Sequence, residues 1–174
     1  KICYRLDVVA LAKKPDISTM NLLKENYMTK LDNTDKYLLA GAYKLAGYNN
    51  PATFIFKSAK PDVKEYNEFS GNFGSRLRDK AIILDIYTLF KNYNNGLKLF
   101  NEISQMVSTD EWYSTQSLGY SLMSLSKYIE STSNKNVEVI NATLIVGSTK
   151  YSLNSSGKMQ SLVINKGFGQ SMKI

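Results

Sequence analysis

The sequence predicts a mainly α-helical chain of antiparallel helical hairpins followed by a short antiparallel β segment. Three observations predict it. Through residue 131 the apolar residues recur at three- and four-residue steps, the helical period. Clusters of Gly, Asn and Pro interrupt that pattern at short intervals, so neighbouring helices must reverse direction. After Ser131-Thr132-Ser133-Asn134 the period falls to two and β-branched residues dominate. The boundary so drawn separates a helical part, residues 1–131, from a β segment, residues 136–174.

Ile2, Leu6, Val9 and Ala10 line one face of a first helix, which ends at Lys13-Lys14-Pro15 because proline disfavours helical backbone in the residue before it. Ser18 is placed to cap a second helix bearing Met20, Leu22, Leu23 and Tyr27. Asp32 or Thr34 caps a third, Tyr37 to Ala46, stopped by Gly47 and a turn at Asn49-Asn50-Pro51. Its small residues Ala40, Gly41, Ala42 and Ala46 admit a close neighbour. Residues 48–74 are the least regular part. Asp62 and Glu65 have capping-box spacing after Pro61 and point to a short helix, before Gly71 and Gly74 break the chain.

Ser75 caps the strongest helix, Arg76 to Lys91. It is apolar over so much of its circumference that it must be packed on more than one side. A turn at Asn94-Asn95-Gly96 leads to a fifth full helix, marked by Leu97, Phe100, Ile103 and Val107. Ser114 or Thr115 caps a sixth, in which Leu118, Leu122, Leu125 and Ile129 form one apolar stripe flanked by Met123 and Tyr128. Strands are predicted from Val137 to Val146, Tyr151 to Leu153 and Met159 to Ile164, with Asn165-Lys166-Gly167 before a last segment. So few short strands cannot enclose a core alone; they need the helices, a partner chain or further strands. Their edges admit a strand-mediated dimer.

The chain has 174 residues, no histidine and one cysteine, Cys3. That excludes an internal disulfide framework, a Cys-rich zinc module, and nucleophile systems based on histidine. The net charge of +7 comes from 22 Lys/Arg against 15 Asp/Glu. The lysines are scattered singly and the arginines are only Arg5, Arg76 and Arg78, so no basic stripe points to nucleic acid. No stretch approaches the roughly 20 apolar residues of a membrane span. The chain opens inside an apolar-periodic segment, without an initiating methionine or signal peptide, and reads as a piece of a longer protein.

Candidate site residues have bland readings close at hand. Cys3 lies beside the apolar face of its helix as a small buried hydrophobe. Ser114-Thr115 precedes an apolar run and reads as a cap rather than a nucleophile, since no base is in sight. Trp112 is expected to pack over that cap as a hydrophobic staple. Arg76, Arg78 and Asp79 are expected to pair with one another or with the preceding loop. Asp7 and Asp85 lie within apolar helices, where Lys or Tyr partners are expected, although two inward carboxylates could also serve a glycosidase. The tyrosines, spread through every hairpin, read as edge packing with hydroxyls reaching water. No residue is assigned a catalytic, cofactor-binding or metal-binding role.

Several blocks carry a resemblance. Trp112-Tyr113-Ser114-Thr115-Gln116 with Leu122, Leu125 and Tyr128 resembles the W-x-S-T-Q segment of bacterial alpha-2-macroglobulins. Cys3-Tyr4-Arg5-Leu6 to Leu11-Ala12, Lys14-Pro15-Asp16 and Met20 to Glu25 are similar to an earlier helix pair of that family. Leu38 to Gly47 and Ser75 to Leu84 are similar to the helices between, so the likeness covers most of residues 1–130. It implies the later part of a thioester-type α/α toroid, here incomplete. The β segment is then the returning half of a CUB-like or macroglobulin β domain.

The resemblance further implies a protease-trapping protein of the cell envelope, periplasmic or anchored to the outer membrane. The implied partners are the remaining domains of the parent chain, with proteases as targets of the whole. The family's reactive G-C-x-E-Q motif is not here, because Cys3 is followed by Tyr4, Arg5 and Leu6. A non-catalytic structural role is therefore the expectation. The rivals are a helical scaffold that recruits a peptide and a carbohydrate-active α/α-toroid enzyme.

Overall fold

Backbone chemistry at the helix ends sets the frame. The computed structural model describes residues 2–68, 74–133, 140–155 and 172–173. Its elements are α1 (Ile2–Leu11), α2 (Ile17–Asn26), α3 (Asn33–Leu45), α4 (Asn49–Ser58), α5 (Arg76–Leu89), α6 (Tyr93–Val107) and α7 (Thr115–Thr132). After them come β1 (Ile140–Val146), β2 (Thr149–Ser155) and β3 (Met172–Lys173). Two compact units result, Lys1–Thr132 and Ser133–Ile174.

Side-chain oxygens satisfy backbone N–H groups that have no partner inside the helix. Asp32 Oδ1 accepts from Asp35 N at 2.7 Å, and Ser75 Oγ accepts from Arg78 N at 3.1 Å. Ser114 Oγ accepts from Ser117 N at 3.1 Å. For α2 the cap is Asp16, not Ser18: its carboxylate takes Thr19 N at 3.1 Å and the Thr19 hydroxyl at 2.6 Å. A carboxylate with two acceptor atoms out-competes the hydroxyl two residues on.

The first, third and fifth helices share one ending. Lys13, Gly47 and Lys91 have φ of 60°, 85° and 56°. Around each, two backbone bonds close back onto the last turn. They are Lys13 N to Ala10 O with Lys14 N to Val9 O, Gly47 N to Lys44 O with Tyr48 N to Tyr43 O, and Lys91 N to Thr88 O with Asn92 N to Tyr87 O. This is the Schellman arrangement, and only Gly47 has the residue type that enters it without a Cβ clash. Lys13→Gly and Lys91→Gly are each expected to raise stability by about 0.5–1 kcal/mol, and Gly47→Ala to lower it by about 1 kcal/mol, in urea denaturation followed by circular dichroism.

Three local expectations are corrected. Asn49-Asn50-Pro51 does not stop a helix but opens α4, because a proline in the first turn removes only an N–H that would lack a helical partner. Asn94-Asn95-Gly96 likewise lies in the first turn of α6. Among the described residues 61–68 there is no helix. The Asn33 side-chain amide clamps that stretch instead, donating to Asp62 O and accepting from Lys60 N, both at 3.2 Å. Asn67 then bridges Ser75 as an antiparallel pair.

In the helical unit α1, α3, α5 and α7 stand side by side in chain order. α4 packs on α3, α6 on α5 and α7, and α2 more lightly on α3. α5 thus touches α3, α6 and α7, the several-sided packing its sequence predicts. One core cluster centres on α3 with Leu39, Ala40 and Tyr43, joined by Cys3, Leu6, Met20 and Ile55. A second centres on α5 with Leu77, Ile83 and Leu84, joined by Leu99, Ile103 and Tyr128. Phe56 and Phe90, stacked with centroids 4.3 Å apart, pack against both. Gly41 of α3 is where the row is tightest: a Cβ there would stand 2.5 Å from Ile86 Cδ1. The small residues of α3 do admit a close neighbour. Ile2, by contrast, is exposed, and Cys3, Leu6 and Ala10 form the inner face of α1.

The largest departure from the sequence pattern is α7. Its buried residues are Ser117, Ser121, Ser124 and Tyr128, while Leu122 is 62% exposed and Ile129 50%. The serines can be buried because their hydroxyls are satisfied close by. Ser121 donates to Ser117 O at 2.8 Å, Ser124 donates to Ser121 O at 3.0 Å, and Ser117 Oγ pairs with Ser75 Oγ at 2.7 Å. Their small size brings α7 close against α5. Of the predicted stripe Leu118, Leu122 and Ile129 are exposed, whereas Leu125 is partly buried against the second core cluster.

The second unit is an antiparallel sheet of order β2-β1-β3. Val146 pairs with Thr149 around Gly147-Ser148, with Gly147 at φ +60°, the glycine position of a tight hairpin turn. Val146 and Ile145 pair on the other side with Met172 and Lys173. The strand predicted from Met159 to Ile164 and the Asn165-Lys166-Gly167 break lie outside the described residues.

Candidate functional site

All four helices of the row send residues of their first two turns, or of their caps, to one cleft of about 400 Å³. Tyr4 and Arg5 come from α1, Asp32, Thr34 and Asp35 from the start of α3, Arg78 and Asp79 from α5, and Gln116 and Tyr120 from α7. The helices of the row therefore begin at the same end. Leu38 and Ile82 supply the apolar part of the wall.

Asp79 is the anchor of the cleft. The Tyr66 hydroxyl donates to Oδ2 at 2.7 Å and the Arg78 guanidinium to Oδ1 at 3.2 and 3.3 Å. Burial still pushes its carboxyl upward, outweighing the opposing pull of Tyr66 and Arg78. Burial, and then the charge of Asp32, likewise raises Asp35. Cys3 is buried, and burial first, then Asp35, pushes its thiol up to about 12. A thiol so placed stays protonated and unreactive at neutral pH.

Deeper along the same face stand the two carboxylates that the sequence singles out. Lys127 Nζ donates to both oxygens of Asp85, at 2.9 and 3.0 Å. Oδ1 of Asp7 is buried without a hydrogen-bond partner. Burial first, then the charge of Asp85, raises Asp7 to about 6, against the pull of Lys127. Asp85 thus has the lysine partner expected, and Asp7 is left with Lys127 only at a distance. The pairing was not legible locally, since Lys127 lies 42 residues from Asp85. Tyr66, another residue that sequence reasoning passed over, gave no signal beyond its place in an irregular stretch.

Arg76 pairs with Glu65 of the preceding loop and Arg78 with Asp79, as expected. Ser114 is a cap, and its Oγ meets Ser117 Oγ at 3.0 Å. Trp112 is 64% exposed, and Tyr113 is the partly buried residue packed on the second core cluster. Tyr37 and Tyr43 are fully buried, whereas Tyr4, Tyr27 and Tyr48 are exposed on different segments. Among the described residues no group of three or more Cys, Asp or Glu is placed to hold a metal ion, and no helix is long and apolar enough to cross a membrane.

Neither a protein-family model nor a curated protein sequence matches the chain. Among solved structures, the native conformation of E. coli alpha-2-macroglobulin, determined by cryo-EM, is similar with a TM-score of 0.65. The match covers 88% of this chain at 19% identity and 9% of that chain. At that identity the likeness is one of fold: the chain is built like a short segment of E. coli alpha-2-macroglobulin.

Proposed function

We propose that the chain is a non-catalytic structural segment of an alpha-2-macroglobulin-like, protease-trapping protein of the bacterial cell envelope, periplasmic or anchored to the outer membrane. The observation that carries this reading is the fold likeness over 88% of the chain. Two features of the residues support it. The buried Cys3 is followed by Tyr4-Arg5-Leu6 and offers no thioester. Leu122 and Met123 of α7, with Val8 and Leu11 of α1, present exposed apolar surface to which further parts of a parent protein can pack.

In this role the helical unit is a rigid body that moves when the parent is cut. Incubated alone with serine proteases, the 174-residue chain is expected to form no covalent adduct on denaturing gels and to leave their activity unchanged. The parent protein is expected to suppress cleavage of a large protein substrate while sparing a small chromogenic peptide. An adduct formed by the isolated chain, or a parent that leaves large-substrate cleavage untouched, overturns the reading.

A further inference from the structure

Where α1 lies against the rest of the row, one carboxylate oxygen is buried without the partner it needs. Asp7 Oδ1 has no hydrogen-bond partner and no solvent contact. On the α3 side stands Gly41, whose Cβ, were there one, would lie 2.9 Å from that oxygen, and which brings no titratable group. On the α5 side stand Ile86, packed on Gly41, and the Asp85 carboxylate. On the α7 side stand Lys127 and Tyr120, the latter bonded through its hydroxyl to Tyr4 of α1 itself. Among the described residues the cation that acts on Asp7 is Lys127, and it is already held by both oxygens of Asp85.

We propose that Asp7 is the proton-sensitive element of a latch that holds α1 against the rest of the helical row, closed when its carboxyl carries a proton and loosened when it ionises. An ionised Asp7 has to draw Lys127 away from Asp85 or stand beside a second carboxylate with its Oδ1 unpaired and shut off from water. A protonated Asp7 asks for neither. The inference does not depend on the reading under Proposed function.

The sign follows from linkage. Asp7 titrates near 6 when docked, above its ordinary 3.8, so the docked state holds the proton more tightly than the undocked one. Docking is therefore at full strength below about pH 4, weakens as pH rises through about 6, and levels off above. A difference of about 2 units corresponds to at most about a 100-fold change in the docking equilibrium.

The test is hydrogen–deuterium exchange by mass spectrometry on the 174-residue chain, comparing wild type with Asp7→Asn at each pH from 5 to 8. The comparison at equal pH cancels the intrinsic pH dependence of exchange. Wild-type protection over residues 2–11 is expected to fall relative to Asp7→Asn by up to about 10-fold between pH 5 and 7.5, with protection of α4 and α6 unchanged. Asp85→Asn frees Lys127 for Asp7 and is expected to move the midpoint of that fall to lower pH. Equal protection in both proteins at every pH, or a loss spread evenly over the helical unit, overturns the proposal. Should Asp7→Asn not fold, the carboxyl-carbon titration of Asp7 in the wild type decides by NMR: a midpoint near 6 supports the latch and one near 4 overturns it.

Discussion

Ser121→Leu is expected to lower the stability of the helical unit by about 2–3 kcal/mol, whereas Leu122→Ser beside it changes stability by no more than about 0.5 kcal/mol. The sequence pattern alone predicts the reverse. Ser121 is fully buried where α7 lies against α5, and its hydroxyl is satisfied by Ser117 O. A leucine side chain has no space in that contact, so the two helices must separate and the Ser75–Ser117 hydroxyl pair must lengthen. Leu122, 62% exposed, loses little when it becomes polar. Urea denaturation of the two variants, read at 222 nm, checks both signs at once. A stable Ser121→Leu beside a strongly destabilised Leu122→Ser would mean that α7 is turned about its axis from the orientation described.

Tyr37→Ala is expected to cost about 3–5 kcal/mol, and Tyr37→Phe about 1 kcal/mol. Tyr37 is 1% exposed and belongs to the cluster centred on α5, although it is a residue of α3. Its ring meets Phe56 edge-on at 5.4 Å and Tyr87 at 5.6 Å, and its hydroxyl donates to Ala59 O at 3.3 Å. Removing the ring opens a cavity between Phe56 and Tyr87, beside the place where the two core clusters join. Removing only the hydroxyl leaves the packing intact and frees Tyr87 to find another partner. Equal losses in the two variants would assign the stability to the hydroxyl rather than to the ring.

Asp32 and Ser75 were legible as caps because a cap is decided within three residues of sequence. The switch from helix to strand after Ser133 was legible because periodicity is also local. Pro51 misled: a proline signals a break by default, and only the N–H accounting of a first turn shows why α4 begins there. The inner face of α7 was illegible for a different reason. Buried serines satisfied by their own helix leave the apolar stripe as the only visible signal, and three of its four residues, Leu118, Leu122 and Ile129, are exposed. At the cleft, Arg78–Asp79 could be foreseen from adjacency. Asp85–Lys127 and Tyr66–Asp79 could not, because tertiary packing alone brings them together.

The contact between the Tyr4 and Tyr120 hydroxyls requires the helical row to curve. Four helices laid flat at a spacing of about 8–10 Å would hold the axes of the first and last roughly 24–30 Å apart. Two phenols extended toward each other from Cα atoms about 2.3 Å off their axes bridge only roughly 20 Å. The row α1, α3, α5 and α7 is therefore bent, and its two outer helices approach each other on the concave side.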